Sequence, residues 1–224
     1  MLVKICGLGT AADVEVVAEA GADAMGVVLS GTSPRAVPVE LARELVAAAA
    51  GALTTVLVVH DLPIDVAVDR AREIGVDVLQ LHGYSEADAR HAARELPRTW
   101  RAASVASGDA VGPHPAVGHL TVGAWGEEVL LLDSHVPGSG EPWDLALLGE
   151  PPRGRWLLAG GLSPDNVAAA VAAVRPWGVD VSSGVESTRG VKDHGRIREF
   201  VAAALGRSGE QGESGEQGKS GERR

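Results

Sequence analysis

The sequence is poor in cysteine: Cys6 is the one cysteine in 224 residues. A lone thiol closes no internal disulfide, which excludes a disulfide-stapled scaffold and fits a reducing compartment. Aromatic residues are scarce, at 3 %, so the core has to be built from Val, Leu and Ala. Positive charge is also short. The formal net charge is −10 and no basic stripe is visible, which excludes a nucleic-acid binder. A small anion is still a candidate ligand, because backbone N–H groups bind anions without net positive charge. No apolar run reaches the roughly 20 residues that a membrane span needs. The chain opens on an apolar strand with no basic region before it, so no secretion signal is expected and the cytoplasm is the default location. No apolar external stripe stands out, and a monomer is expected.

Hydrophobic residues make up 45 % of the chain, enough for one substantial core, and the length is too short for two comfortable domains. The expected division is a globular domain over 1–206 and a tail over 207–224. The tail is an imperfect repeat of Ser, Gly, Glu and Gln with nothing apolar to bury, so it is expected to be disordered.

The body alternates short β-branched or Leu-rich runs with Ala-rich stretches of helical spacing. Strands are predicted near 2–6, 24–29, 53–59, 77–81, 100–105, 128–133, 155–159 and 178–182. Helices are predicted near 11–20, 38–50, 63–74, 85–96, 142–148, 164–174 and 193–205. The Gly- and Pro-rich stretch after the fifth strand leaves its helix short or missing. Eight strands in such alternation fit a closed (β/α)₈ barrel or a doubly wound open sheet. The open sheet usually carries G-x-G-x-x-G in its first turn. Here Gly7 and Gly9 are followed by Ala12 and Asp13, a weak match, and the eightfold count favours the TIM barrel.

In such a barrel, chemistry sits where strands end and βα loops begin. Cys6 and Gly7 stand there after the first strand, Arg35 after the second, His60 after the third, Gln80 and His82 at the fourth, and Asp133 at the sixth. The loops AGGLSPDN (159–166) and DVSSGVES (180–187) follow the last two strands. Gly160 and Gly161 remove side chains where a ligand would approach backbone N–H groups, and Ser182, Ser183 and Gly184 repeat the pattern. Small loops in these two positions commonly hold a phosphate. Asp133 closes the apolar run VLLL, where an acid is costly unless it has a task or a partner. A lone cysteine such as Cys6 is more often a small buried hydrophobe, and His82 is more often a packed polar residue. No grouping of His, Cys and Asp has metal-ligand spacing, so no metal is expected.

Together, KICGL, SPR, LQLHG, LLDS, LAGGLSPDNV and GVDVSSGVES, in this order over residues 2–205, resemble the phosphoribosylanthranilate isomerase family. The resemblance implies a (β/α)₈ barrel that carries out an Amadori rearrangement without a cofactor. It implies Cys6 as general base, Asp133 as general acid and Arg35 facing the anthranilate carboxylate. It also implies a phosphate grip at Gly160, Gly161, Ser182, Ser183 and Gly184, with Gln80 and His82 as further substrate contacts. The acid is expected to have a raised pKa and the thiol to be lowered or otherwise activated. A related isomerase of histidine synthesis resembles the chain less, because it carries aspartate where Cys6 stands. The loop after Asp133 departs from the family, with Pro137, Glu141 and Trp143 in place of Gly, Lys and Phe. A barrel with an altered or dual substrate, or one that only binds a phosphorylated metabolite, is the alternative.

The composition of the tail generates the first prediction. Deleting 207–224 leaves isomerase activity and the melting temperature nearly unchanged, and a large drop in either, measured by assay and thermal denaturation, would show that the tail is docked.

Overall fold

The computed structural model describes residues 1–49, 51–104, 120–133, 148 and 150–207. The strands are β1 (Leu2–Cys6), β2 (Ala24–Leu29), β3 (Thr54–Val59), β4 (Val78–His82), β5 (Thr99–Ser104), β6 (Val129–Asp133), β7 (Trp156–Leu158) and β8 (Gly178–Val181). They form a closed barrel in sequence order, with every pairing parallel and β8 returning to β1. That last pairing rules out the open sheet. The α-helices among the described residues are α1 (Ala11–Glu19), α2 (Val39–Ala49), α3 (Ile64–Ile74), α4 (Glu86–Glu95), α5 (Val167–Val174) and α6 (His194–Ala204).

Strand and helix limits fall close to the sequence expectation because the two periodicities are clean. Side chains alternate between the barrel interior and the helix layer. Cys6, Ala24, Val28, Val56, Val58, Val78, Trp100, Leu131 and Leu157 pack as one buried cluster inside the ring. Val3, Ile5, Leu57, Leu79, Leu130 and Val179 face outward and pack against the helices. Trp100, the largest of the fully buried side chains, fills the ring. Helix starts are set by side-chain caps: Thr10, Ser85 and Asp193 each accept a hydrogen bond from a first-turn backbone N–H.

Three local differences have physical causes. Asp13 does not belong to a nucleotide-binding turn; it completes a capping box with Thr10 and also accepts from Gly9 N. Helix α5 starts three residues later than expected. Asn166 takes over the start by accepting from Ser163 N at 2.8 Å and donating to Gly161 O at 2.8 Å, which holds 163–166 as a turn. A small antiparallel hairpin, β9 (Glu186–Thr188) and β10 (Val191–Lys192), follows β8 and was not expected. The eroded fifth helix, the helix near 142–148 apart from Leu148, the altered loop with Pro137, Glu141 and Trp143, and the tail beyond Arg207 lie outside the described residues.

The outward face of β5 carries a buried charge. Arg101 is buried and donates to Glu127 Oε1 at 3.0 and 2.7 Å. Glu127 also accepts from Trp125 N at 2.9 Å, and the guanidinium lies 4.2 Å from the Trp125 ring centre. This cluster closes the outside of the barrel where the return from β5 to β6 arrives. Removing one member of a buried pair strands the other, at a cost of about 3–5 kcal/mol. Glu127→Gln is therefore expected to lower stability by roughly that amount in urea unfolding. A loss below about 1 kcal/mol would show that water reaches Arg101.

Candidate active site

The site residues gather on the C-terminal rim of the barrel. Cys6 ends β1 with its side chain turned inward, and it is 8 % exposed. Gly26, its partner on β2, makes room for it: a Cβ there would lie 3.0 Å from Cys6 Sγ and 3.3 Å from Lys4 Nζ. Lys4 precedes Cys6 by two residues and so shares its face. It is fully buried, and its Nζ donates to Asp180 Oδ1 at 2.8 Å across the β1–β8 seam. Burial pushes the Cys6 thiol up, while the Lys4 ammonium pulls the other way by charge and hydrogen bonding. The net shift is upward, the reverse of the lowering that the sequence allowed, because desolvation of a thiolate outweighs the nearby cation. Burial also works against the Lys4 charge, but Asp180 and Cys6 hold the ammonium above its ordinary value.

Asp133 ends β6, is also 8 % exposed, and continues the inward face of Leu131. Strands β7 and β8 separate β6 from β1, so the carboxyl and the thiol rise from well-separated parts of the same rim. On β4, Gln80 is fully buried and its Nε2 lies 2.6 Å from His82 Nε2. With the amide donating, His82 is neutral and protonated on Nδ1. Burial, followed by the charges of Lys4 and His60, lowers His82 to about 3. Gln80 Oε1 is buried without a hydrogen-bond partner. His60 stays outside this group and pairs with the His82 carbonyl oxygen through Nδ1, at 3.0 Å.

Arg35 reaches the rim from the loop after β2 and meets Glu186, a residue without an expected role. Its Nε donates to Glu186 Oε1 at 2.6 Å and its Nη2 to Glu186 Oε2 at 3.0 Å. Glu186 also accepts from Lys192 Nζ at 2.9 Å and from Gly190 N at 3.0 Å. Burial would raise this carboxyl, but the Arg35 hydrogen bond, the Gly190 N–H and Lys192 carry it down to about 2. Lys192 Nζ donates onward to Ser182 O at 2.9 Å, and Ser182 Oγ donates to Cys6 O at 3.0 Å. Hairpin β9–β10 is thus the element that carries Glu186, the partner of Arg35, and Lys192, the second cation on Glu186.

The two glycine loops form one surface. Gly160 and Gly161 adopt φ of 80° and 63°, a left-handed turn that side chains disfavour. Gly184 packs against the first loop so closely that a Cβ would fall 1.8 Å from Leu162 O. Ser183–Val185 form a short 3₁₀ turn after β8. Gly160, Gly161, Ser182, Ser183 and Gly184 all keep partial exposure, so the loops are braced together and still open to a ligand. Among the described residues no group of three or more His, Cys, Asp or Glu side chains has metal-binding geometry.

The sequence signals for the additional residues were present but faint. Lys4 and Asp180 are single charges inside otherwise apolar strands, LVKIC and GVDV. Glu186 and Lys192 lie in a stretch rich in small and polar residues, where a hairpin is not apparent from periodicity.

This rim can be set beside known proteins. The family model described as N-(5′-phosphoribosyl)anthranilate isomerase matches residues 3–203. The chain is 42 % identical over 220 residues to the enzyme of that name from Haloferax volcanii, covering 90 % of this chain and 92 % of the relative. A crystal structure of TrpF from Jonesia denitrificans aligns with a TM-score of 0.82 at 49 % identity, covering 92 % of this chain and 98 % of that one. A phosphoribosyl anthranilate isomerase solved with reduced 1-(o-carboxyphenylamino)-1-deoxyribulose 5-phosphate aligns with a TM-score of 0.78 at 31 % identity, covering 92 % of this chain and all of that one, at 100 %. The chain belongs to the N-(5′-phosphoribosyl)anthranilate isomerase family.

Proposed function

We propose that this chain converts N-(5′-phosphoribosyl)anthranilate to 1-(2-carboxyphenylamino)-1-deoxyribulose 5-phosphate, an Amadori rearrangement of tryptophan biosynthesis, with Asp133 as general acid and Cys6 as general base. The observation that carries the reading is the presence of a buried thiol and a buried carboxyl, both inward-facing, on the rim that also bears the paired glycine loops. Asp133, protonated, donates to the ribose ring oxygen as the C1–O bond opens and the anilino nitrogen forms an iminium. Cys6, as thiolate, removes the proton from C2, and the resulting enolamine tautomerises to the ketone. C2 is oxidised as C1 is reduced within one molecule, so the chemistry calls for no external electron carrier. Separate strands can hold acid and base on different sides of one sugar.

Gly160, Gly161 and the Ser182–Gly184 turn suit the 5′-phosphate, because their backbone groups are accessible at a braced concave end. Arg35 suits the anthranilate carboxylate. Glu186 accepts from Arg35 Nε and Nη2, so the substrate carboxylate takes either the remaining Arg35 Nη1 or the place of Glu186. Neutral His82, aligned by Gln80, is the hydrogen-bonding group on the β4 side. The buried free thiol suits a cytoplasmic setting, and exposed large hydrophobic residues are scattered among the described residues (Met1, Val66, Val191), which favours a monomer.

The test generates phosphoribosylanthranilate in situ and follows its fluorescence decay. The wild-type chain is expected to accelerate the decay strongly. Asp133→Asn and Cys6→Ser should each lower turnover roughly 10²–10⁴-fold with the fold intact. Near-normal turnover in either variant would remove that residue from the mechanism.

The Arg35–Glu186 pair adds a signature in acid. The folded pKa of Glu186 is depressed to about 2, so its contribution to stability is complete above the ordinary carboxylate range and is lost as pH falls toward 2. Glu186→Gln should therefore be less stable than wild type at pH 7, with the gap shrinking between pH 5 and pH 2. A gap independent of pH in denaturant unfolding would count against the ion pair.

A further inference from the structure

Lys4 has no part in the acid–base scheme above, yet it is among the largest fully buried side chains. Its ammonium lies inside the barrel, directly below the rim, and is hydrogen-bonded to Asp180 at 2.8 Å. The same ammonium and the Cys6 sulfur crowd the same space at Gly26, within 3.3 and 3.0 Å of the position a Cβ would take. A buried cation of this kind is costly, and a barrel interior has cheaper ways to fill space with apolar side chains. One carboxylate already balances it. A second group that becomes negative beside it gives the cation a use.

We propose that Lys4 is a positioning residue that serves as counterion to the Cys6 thiolate, shared between the sulfur and the Asp180 carboxylate. The inference rests on the reading of Cys6 as base. In the resting site Lys4 and Asp180 neutralise each other and Cys6 is a neutral thiol. When the thiol gives up its proton to solvent at the rim, the ammonium stabilises two anions at once. When the thiolate takes the C2 proton, the negative charge leaves the sulfur and Lys4 is again balanced by Asp180 alone. No net proton is gained or lost at Lys4.

The groups that face the thiol from each side are accounted for. Lys4 comes from β1 itself and Asp180 from β8, and their charges act on Cys6 in opposite directions. Lys192, from β10, acts in the same direction as Lys4 but is hydrogen-bonded to Glu186 and to the Ser182 carbonyl. Arg35, from the loop after β2, also feels the thiol and is held by Glu186 on both nitrogens that it donates from. Gln80 and His82 on β4 and Asp133 on β6 also face inward at the rim. Among the described cations, Lys4 is the one whose ammonium crowds the sulfur beside Gly26.

The proposal predicts shifts of opposite sign in two variants, which loosened packing would not produce. Because Cys6 is the one cysteine in the chain, thiolate absorbance near 240 nm titrates it directly. Lys4→Met should move the midpoint up by about one pH unit or more, a tenfold or greater loss of thiolate at fixed pH. Asp180→Asn should move it down, because the sulfur no longer competes for the ammonium. If either single variant does not fold by circular dichroism, the neutral double variant Lys4→Met/Asp180→Asn serves instead, with a midpoint expected above wild type. Unmoved midpoints, single-variant shifts of the same sign, or an unmoved midpoint in the double variant would overturn the pairing. The pH profile of kcat/KM separates the two readings. A split of midpoints that the rate profile follows supports both, whereas a split that it ignores leaves the pairing standing and removes Cys6 as base.

Discussion

The pairing of β8 with β1 is the constraint on which the rest of the molecule depends. It converts a run of parallel strands into a ring and removes both sheet edges. It also fixes the register in which Lys4 stands opposite Asp180, so the seam carries a buried ion pair across 176 residues of chain. The position of Cys6 follows from that register. Its sulfur fits beside Gly26 of β2, and the Ser182 hydroxyl from the loop after β8 holds its carbonyl oxygen. A slip of one residue along this seam would turn Cys6 toward the helices and bring an apolar neighbour into the ring.

A protein of net charge −10 that handles a phosphorylated carboxylate needs local rather than global attraction. The rim supplies it with cations that each already have an anionic partner. Lys4 is paired with Asp180, and Arg35 and Lys192 share Glu186. Pairing keeps these groups ordered and affordable in the absence of ligand. It also gives the substrate carboxylate a competitor in Glu186, so binding there exchanges one carboxylate for another or adds to a fork already oriented. The phosphate end works differently. Glycine loops offer backbone groups, which bring no charge of their own and so need no partner.

Element positions were legible because they depend on periodicity, which is local. The strand VKIC and the helix IDVAVDRAREI read correctly without knowledge of anything distant. That Cys6, Asp133, Arg35 and the two glycine loops share one rim was legible from strand-end position. What escaped was the pairing. That Lys4 meets Asp180, or Arg35 meets Glu186 across 151 residues, follows only from ring closure, and no window of sequence contains both partners. The start of α5 was misread for a related reason. Ser163 and Pro164 look like a helix opening by composition, but Asn166 makes the hydrogen bonds that decide it. The hairpin β9–β10 spans few residues and alternates too briefly for any pattern to show.

The raised thiol has a chemical consequence that a lowered one would lack. A buried neutral thiol adds no charge to the barrel at rest, so the ring keeps a balanced interior until substrate arrives. A base of higher pKa also accepts a carbon-bound proton with more driving force, at the expense of a smaller ionised fraction. In the proposed reaction, protonation by Asp133 opens the sugar and places a positive iminium near the sulfur. That charge adds to Lys4 and favours the thiolate just when C2 becomes acidic. Burial thus favours a neutral thiol until the proposed ring opening, and the order of the two proton transfers follows from the charges that gather at the rim.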